Sequence, residues 1–89
     1  MLVEASHILV TSQEQAQSLL EQVRAGADFA ALARQHSQCP SKANGGSLGQ
    51  FGPGRMVKSF EEATYALNIG SVSDPVQTQF GYHLIQRTG

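Results

Sequence analysis

The side chains best suited to chemistry near neutral pH are three histidines, His7, His36 and His83, and one cysteine, Cys39. His7 lies in SHILV and His83 in GYHLI, each inside an apolar run. An ionisable ring in a half-buried strand is costly unless it is hydrogen-bonded. If the strands carrying them pair as neighbours, both rings can lie on one side and one can hydrogen-bond the other. Taken singly, each is better read as a satisfied core histidine than as a functional one. His36 closes a short helical pattern, where an imidazole meets the last carbonyls. A cysteine and a histidine can form a nucleophile and base pair, which keeps a hydrolase open. The plainer reading of a lone cysteine is a small buried hydrophobe. The histidines and cysteine lack the spacing of a structural zinc site, so no metal is expected. The glycine-rich GGSLGQFGPG has no Gly-Lys-Ser/Thr ending, which favours turn geometry over a phosphate loop.

These residues need elements to position them. Leu2 to Val10 alternates: Ala5, His7 and Leu9 point one way, and Ser6, Ile8 and Val10 the other, as in a strand. Thr11 and Glu14 fit a capping box. Ala16, Leu19, Leu20 and Val23 then give one helix face, and Gly26 is placed to stop it. Asp28 caps a second helix bearing Phe29, Leu32, Ala33 and His36, with Pro40 ending it. Ser41 to Gly46 reads as loop, and Ser47 to Phe51 as a short strand. After the turn GPGR, Ser59 and Glu62 offer another capping box for a helix with Phe60, Ala63 and Leu67. A short strand around Val76 and a turn at Phe80-Gly81 lead into a final strand, Tyr82 to Arg87. Strand, two helices, strand, helix, two strands is an α+β pattern.

Eighty-nine residues make one domain, expected to span 1–89, with a modest core. Hydrophobic residues at 40% support a folded chain. Six basic and seven acidic residues, net charge −1, give no nucleic-acid footprint and no polybasic membrane patch. No apolar run approaches the roughly 20 residues of a membrane helix. No secretory leader is visible, and a single cysteine makes no internal disulfide, so a cytoplasmic compartment is expected. The short, fairly polar surface suggests a monomer.

The stretches SHILV, HSQCPSKANGGSLGQFGPGRMVKSFEEA and PVQTQFGYHLI, in this order and spacing, resemble the parvulins, a family of peptidyl-prolyl cis/trans isomerases. The resemblance runs from Ala5 to Arg87 and is to the small single-domain type. It implies an FKBP-like superfold, a four-stranded antiparallel sheet surrounded by helices, with the first and last strands central and adjacent. It also implies the site. His7 and His83 match the family's paired histidines, Cys39 the position held by Cys or Asp, and Thr78 the threonine bonded to the pair. Leu48, Met56 and Phe60 match the pocket for the proline ring, with Phe80 and Ser37 beside it.

The expected activity is therefore isomerisation of X-Pro bonds in unfolded or flexible polypeptides by non-covalent twisting of the amide, without cofactor. The link after Val10 carries no Lys or Arg where phospho-specific relatives have a basic loop. No phosphate before proline is thus required, and an uncharged residue there is expected. Ser59 stands where many relatives have proline, and Pro40 where some have serine. The alternative is a peptide-binding chaperone module with little turnover, since a shallow apolar groove can hold unfolded segments.

Overall fold

The computed structural model describes residues 1–89. Its elements run β1 (Val3–Val10), α1 (Gln13–Arg24), α2 (Phe29–His36), a 3₁₀ turn (Pro40–Asn44), β2 (Ser47–Phe51), α3 (Lys58–Ala66), β3 (Val76–Thr78) and β4 (Gly81–Arg87). The order is the one the hydrophobic periodicities predict. The strands form one antiparallel sheet, β2-β1-β4-β3, so the first and last strands are central and paired. The chain is thus an α+β fold with a four-stranded antiparallel sheet surrounded by helices.

Strand alternation sorts the core into two clusters. Ile8, Val10 and Leu84 point to one face and pack with Ala16, Leu19 and Leu20 of α1 and Phe29, Leu32 and Ala33 of α2. Val3, Ala5 and Ile85 point to the other, against Phe51 and Phe60. Each buried Leu, Ile or Phe side chain stabilises the fold by about 1.5–3 kcal/mol relative to exposure. Both faces of β1 and β4 therefore need cover, and β1 is buried along most of its length.

Local signals place most boundaries. Asp28 caps α2 by accepting from the Ala31 N–H. The cap of α1 is Ser12, not Thr11: its Oγ accepts from the Gln15 N–H at 3.0 Å. Thr11 sits where β1 has just ended, and Ser12 has the extended backbone of a cap. Ser59 does not cap α3, which begins at Lys58 after Val57. Instead the Glu61 carboxylate reaches back to the Gly54 N–H at 2.7 Å, tying the preceding turn to the helix. Pro40 does not end α2 either. That helix stops at His36, and Pro40 opens the 3₁₀ turn, where its fixed φ and missing N–H fit the first helical position. Part of the expected loop from Ser41 to Gly46 is therefore helical.

Gly46 and Gly81 are required by packing. Gly46 has φ +86°, and a Cβ there would lie 2.4 Å from the His7 carbonyl oxygen. Gly81 has φ +140°, and a Cβ would lie 2.5 Å from that of Val10. These glycines let backbone approach both ends of the segment of β1 that carries His7.

Candidate active site

His7 pairs with Ile85 across the β1–β4 ladder, and Leu9 pairs with His83. The two histidines are thus diagonal neighbours on one face, within reach of long or aromatic side chains. Their Nδ1 atoms are 2.9 Å apart, and the rings stack with centroids 5.1 Å apart and planes 17° from parallel. A bond between two Nδ1 atoms needs one to carry the proton and the other to accept it, so the rings have complementary roles. His83 Nε2 lies 2.7 Å from Thr78 Oγ1, which also accepts from the Phe80 N–H. His7 Nε2 is buried and has no hydrogen-bond partner. Phe60 meets both imidazoles edge-on, at 5.5 and 5.2 Å.

Burial, followed by the charge of His83, lowers the His7 pKa from 6.5 to about 4. Burial lowers that of His83 as well. Two adjacent imidazolium ions in this apolar surround would be uncompensated charges, so the pair is neutral at pH 7.

The cysteine is fixed by a neighbouring serine. Ser37 Oγ accepts from the Leu9 N–H at 3.0 Å and the Cys39 N–H at 3.3 Å. The Gln38 N–H donates to the Leu9 carbonyl at 2.8 Å, so this segment runs alongside the end of β1. Pro40 favours the extended backbone seen at Cys39. The thiol is half-buried, and neither imidazole is hydrogen-bonded to it.

One cavity of about 500 Å³ opens beside these groups. His7, His83 and Cys39 edge it, and Leu48, Met56, Phe60 and Phe80 line it. Seven of the eight site residues named from the sequence therefore meet at one hollow. The eighth, Thr78, stands behind it and reaches the site through His83. Leu48 gets there by an irregularity: Ala5 pairs with Gly49 but Ser6 with Ser47, so Leu48 is the extra residue of a bulge. A bulge re-aims a side chain, and here it supplies Leu48 to the cavity. Pro40, noted in the sequence as a helix stop and a departure from relatives, also lines the hollow, as do Leu9, Gln38, Arg55 and Val57, which were not singled out. Leu9 could have been found, since it shares the parity of His7 along β1.

Comparison with known proteins agrees with this geometry. A model of the rotamase family, the PPIC-type PPIase domain, matches residues 7–89. The chain belongs to this peptidyl-prolyl isomerase family. The family's parvulin members include the foldase protein PrsA of Geobacillus sp. (strain WCH70), 54% identical over 87 residues, covering 97% of this chain and 32% of that protein. Among solved structures, PrsA from Bacillus anthracis superimposes with a TM-score of 0.98 at 47% identity, over 99% of this chain and 41% of that one. NmPin, the parvulin of Nitrosopumilus maritimus, gives 0.90 at 42% identity and matches 99% of this chain and 96% of its own. The chain spans about a third of the length of the curated PrsA relatives.

One expectation is overturned by these rotamase relatives. PrsA-type proteins are extracytoplasmic, which contradicts the cytoplasmic assignment. A lone thiol makes no internal disulfide in either compartment, so the cysteine count carries no information on location. No helix is long and apolar enough to cross a membrane.

Proposed function

We propose that residues 1–89 act as one unit that isomerises X-Pro bonds in unfolded or flexible polypeptides, by twisting the amide without covalent attack. The observation that carries this reading is the apolar cavity bounded by a neutral imidazole pair and a thiol. Rotation about the peptide bond faces a barrier of roughly 18–20 kcal/mol, and uncatalysed prolyl exchange takes on the order of 10–100 s. An acceleration of about 10⁴–10⁶ needs the barrier lowered by roughly 5–8 kcal/mol.

The planar amide is strongly dipolar, and twisting it breaks conjugation and shrinks the dipole. A niche of Leu48, Met56 and Phe60 that grips the pyrrolidine ring, with Phe80 at its edge, disfavours the planar form relative to the twisted one. This is stabilisation specific to the transition state. Cys39 supplies the environment of the moving carbonyl, and His7, His83 and Thr78 hold that wall in place. Preorganised polar groups then add a second contribution. The imidazoles stay neutral and take up no proton in the reaction, consistent with their depressed pKa values and the absence of any bond to the thiol. Without a hydrogen bond from the thiol to either imidazole, no nucleophile-base pair is assembled, which disfavours a Cys-His hydrolase. The partner is a polypeptide segment, bound by a monomer with neither nucleic acid nor lipid needed at the site. The β1–α1 link, Thr11-Ser12, has no cation to hold a phosphate before proline.

A second reading is a peptide holdase with little turnover. It draws on Phe80, which is 60% exposed at the cavity edge, and on the flexible Met56. The names of several relatives, "Foldase protein PrsA", and the description of Campylobacter jejuni Cj1289 as a SurA-like chaperone fit either reading. Replacing Cys39 by Ala separates them. Turnover of an X-Pro peptide should fall at least tenfold while peptide affinity is kept. Unchanged rates in a proline-limited refolding assay, with and without the protein, would remove the isomerase reading.

A further inference from the structure

Arg55 is the one charged side chain lining the cavity; every other lining residue is apolar, amide, thiol or neutral imidazole. Its guanidinium makes no ion pair. The one ion pair of the fold joins Arg24 to Asp74, and Arg87 spends its donors on the carbonyls of Leu67 and Gly89. The nearest acidic residue along the chain, Glu61, has one carboxylate oxygen engaged by the Gly54 N–H. No Asp or Glu lines the hollow. Arg55 is thus a cation at the cavity edge without an ion-pair partner, with the Glu61 carboxylate held on the same turn by Gly54, while the chain as a whole carries net charge −1.

We infer that Arg55 is a specificity residue that selects substrates with an acidic side chain immediately after the proline. The inference rests on the proposed isomerase reading and refines its substrate class. The polarity follows from the assignment of the moving carbonyl to Cys39. The residue before proline then lies on the Cys39 side, and the chain after proline leaves past another segment of the rim. Arg55 is on such a segment, the turn between β2 and α3, next to Met56, which grips the ring. A guanidinium binds a carboxylate in a paired geometry that an ammonium cannot reproduce. At a solvent-exposed rim such a pair changes affinity by only about two- to fivefold.

The test uses two short peptide sets, one varying the residue after proline (Ala-Pro-Glu, Ala-Pro-Gln, Ala-Pro-Lys) and one the residue before it (Glu-Pro-Ala, Gln-Pro-Ala, Lys-Pro-Ala). Binding is read by NMR titration and turnover by exchange spectroscopy at low and high salt. In the unmodified protein, Glu after proline should exceed Gln about two- to fivefold, with Lys lowest. That ratio should shrink towards one at high salt and in Arg55→Gln, and invert in Arg55→Glu. Equal values across the first set overturn the inference, as does a preference that survives Arg55→Gln or appears only in the second set. Binding without turnover of any peptide would fall on the isomerase reading itself, and absence of both binding and turnover would remove the two together.

Discussion

On one side of the sheet Ile8, Val10 and Leu84 are fully buried beneath α1 and α2. On the other side His7 and His83, one residue away along the same strands, are almost as deeply buried but edge a cavity. Both sides have apolar surroundings. They differ in closure: the first face is filled by nine buried apolar side chains, while the second has only five, plus two imidazoles and a hollow. A two-residue period lets one strand serve both ends, packing the first face with its even residues and, on the second, setting His7 and His83 among the packed odd residues Val3, Ala5 and Ile85. The imidazoles are tolerated because their Nδ1 atoms pair with each other and Thr78 closes the far end of His83, which leaves only His7 Nε2 without a partner.

The largest effect expected from breaking this comparison falls on the closed face. Leu20→Ala or Leu84→Ala should cost about 2–5 kcal/mol in denaturant unfolding. Turnover of the remaining folded protein should be unaltered. The same truncation at Met56, half-exposed on the open face, should do the reverse, with a stability change under about 1 kcal/mol and kcat/KM reduced roughly tenfold. If both variants lose stability and activity in parallel, the division of labour between the faces is wrong.

Acid should find the open face first. The folded pKa of His7 is near 4 against an ordinary 6.5, so above about 6.5 neither state is protonated and stability is complete. Between 6.5 and about 4 the unfolded chain binds a proton that the folded chain refuses, and stability falls as the pH drops. The slope is at most about 1.4 kcal/mol per pH unit for each such group. His83, also depressed, works in the same direction. Urea unfolding from pH 7.5 to 4 should show this decline. A His7→Phe, His83→Phe double variant should lose it.

The pair can be sharpened further by a double-mutant cycle. Either single His→Phe change strands a buried imidazole nitrogen, at a cost of about 1–3 kcal/mol, and the double change should cost less than the sum. The smallest effect belongs outside both faces. Arg24→Ala, which removes the exposed ion pair with Asp74, should shift stability by less than about 1 kcal/mol.

Much of this was legible in the residues. Alternation around His7 and His83, helical spacing in α1 and α2, and the Asp28 cap are local signals, and the structure follows them. What failed or was missed depends on partners remote in sequence. Thr11 and Ser59 have capping-residue chemistry, but the ends of β1 and the turn at Gly54 decide where the helices begin. The bulge that aims Leu48 is set by the register of β2 on β1, which no local pattern reports. Arg55 was passed over because a lone arginine in a glycine-rich turn looks like ordinary surface until the cavity beside it is seen. Leu48, Met56 and Phe80 line the cavity, but it was the family resemblance and not periodicity that pointed to them.

The central claim is that uncharged imidazoles frame an apolar niche where an amide is twisted without proton transfer. Its most direct test is kcat/KM for one neutral X-Pro peptide, by NMR exchange, from pH 8 down to 5, with folding checked at each point by circular dichroism. A profile that stays flat through 6.5 is the predicted result. A fall centred near 6.5 in protein that remains folded would contradict it, because an imidazole would then be titrating in the working site.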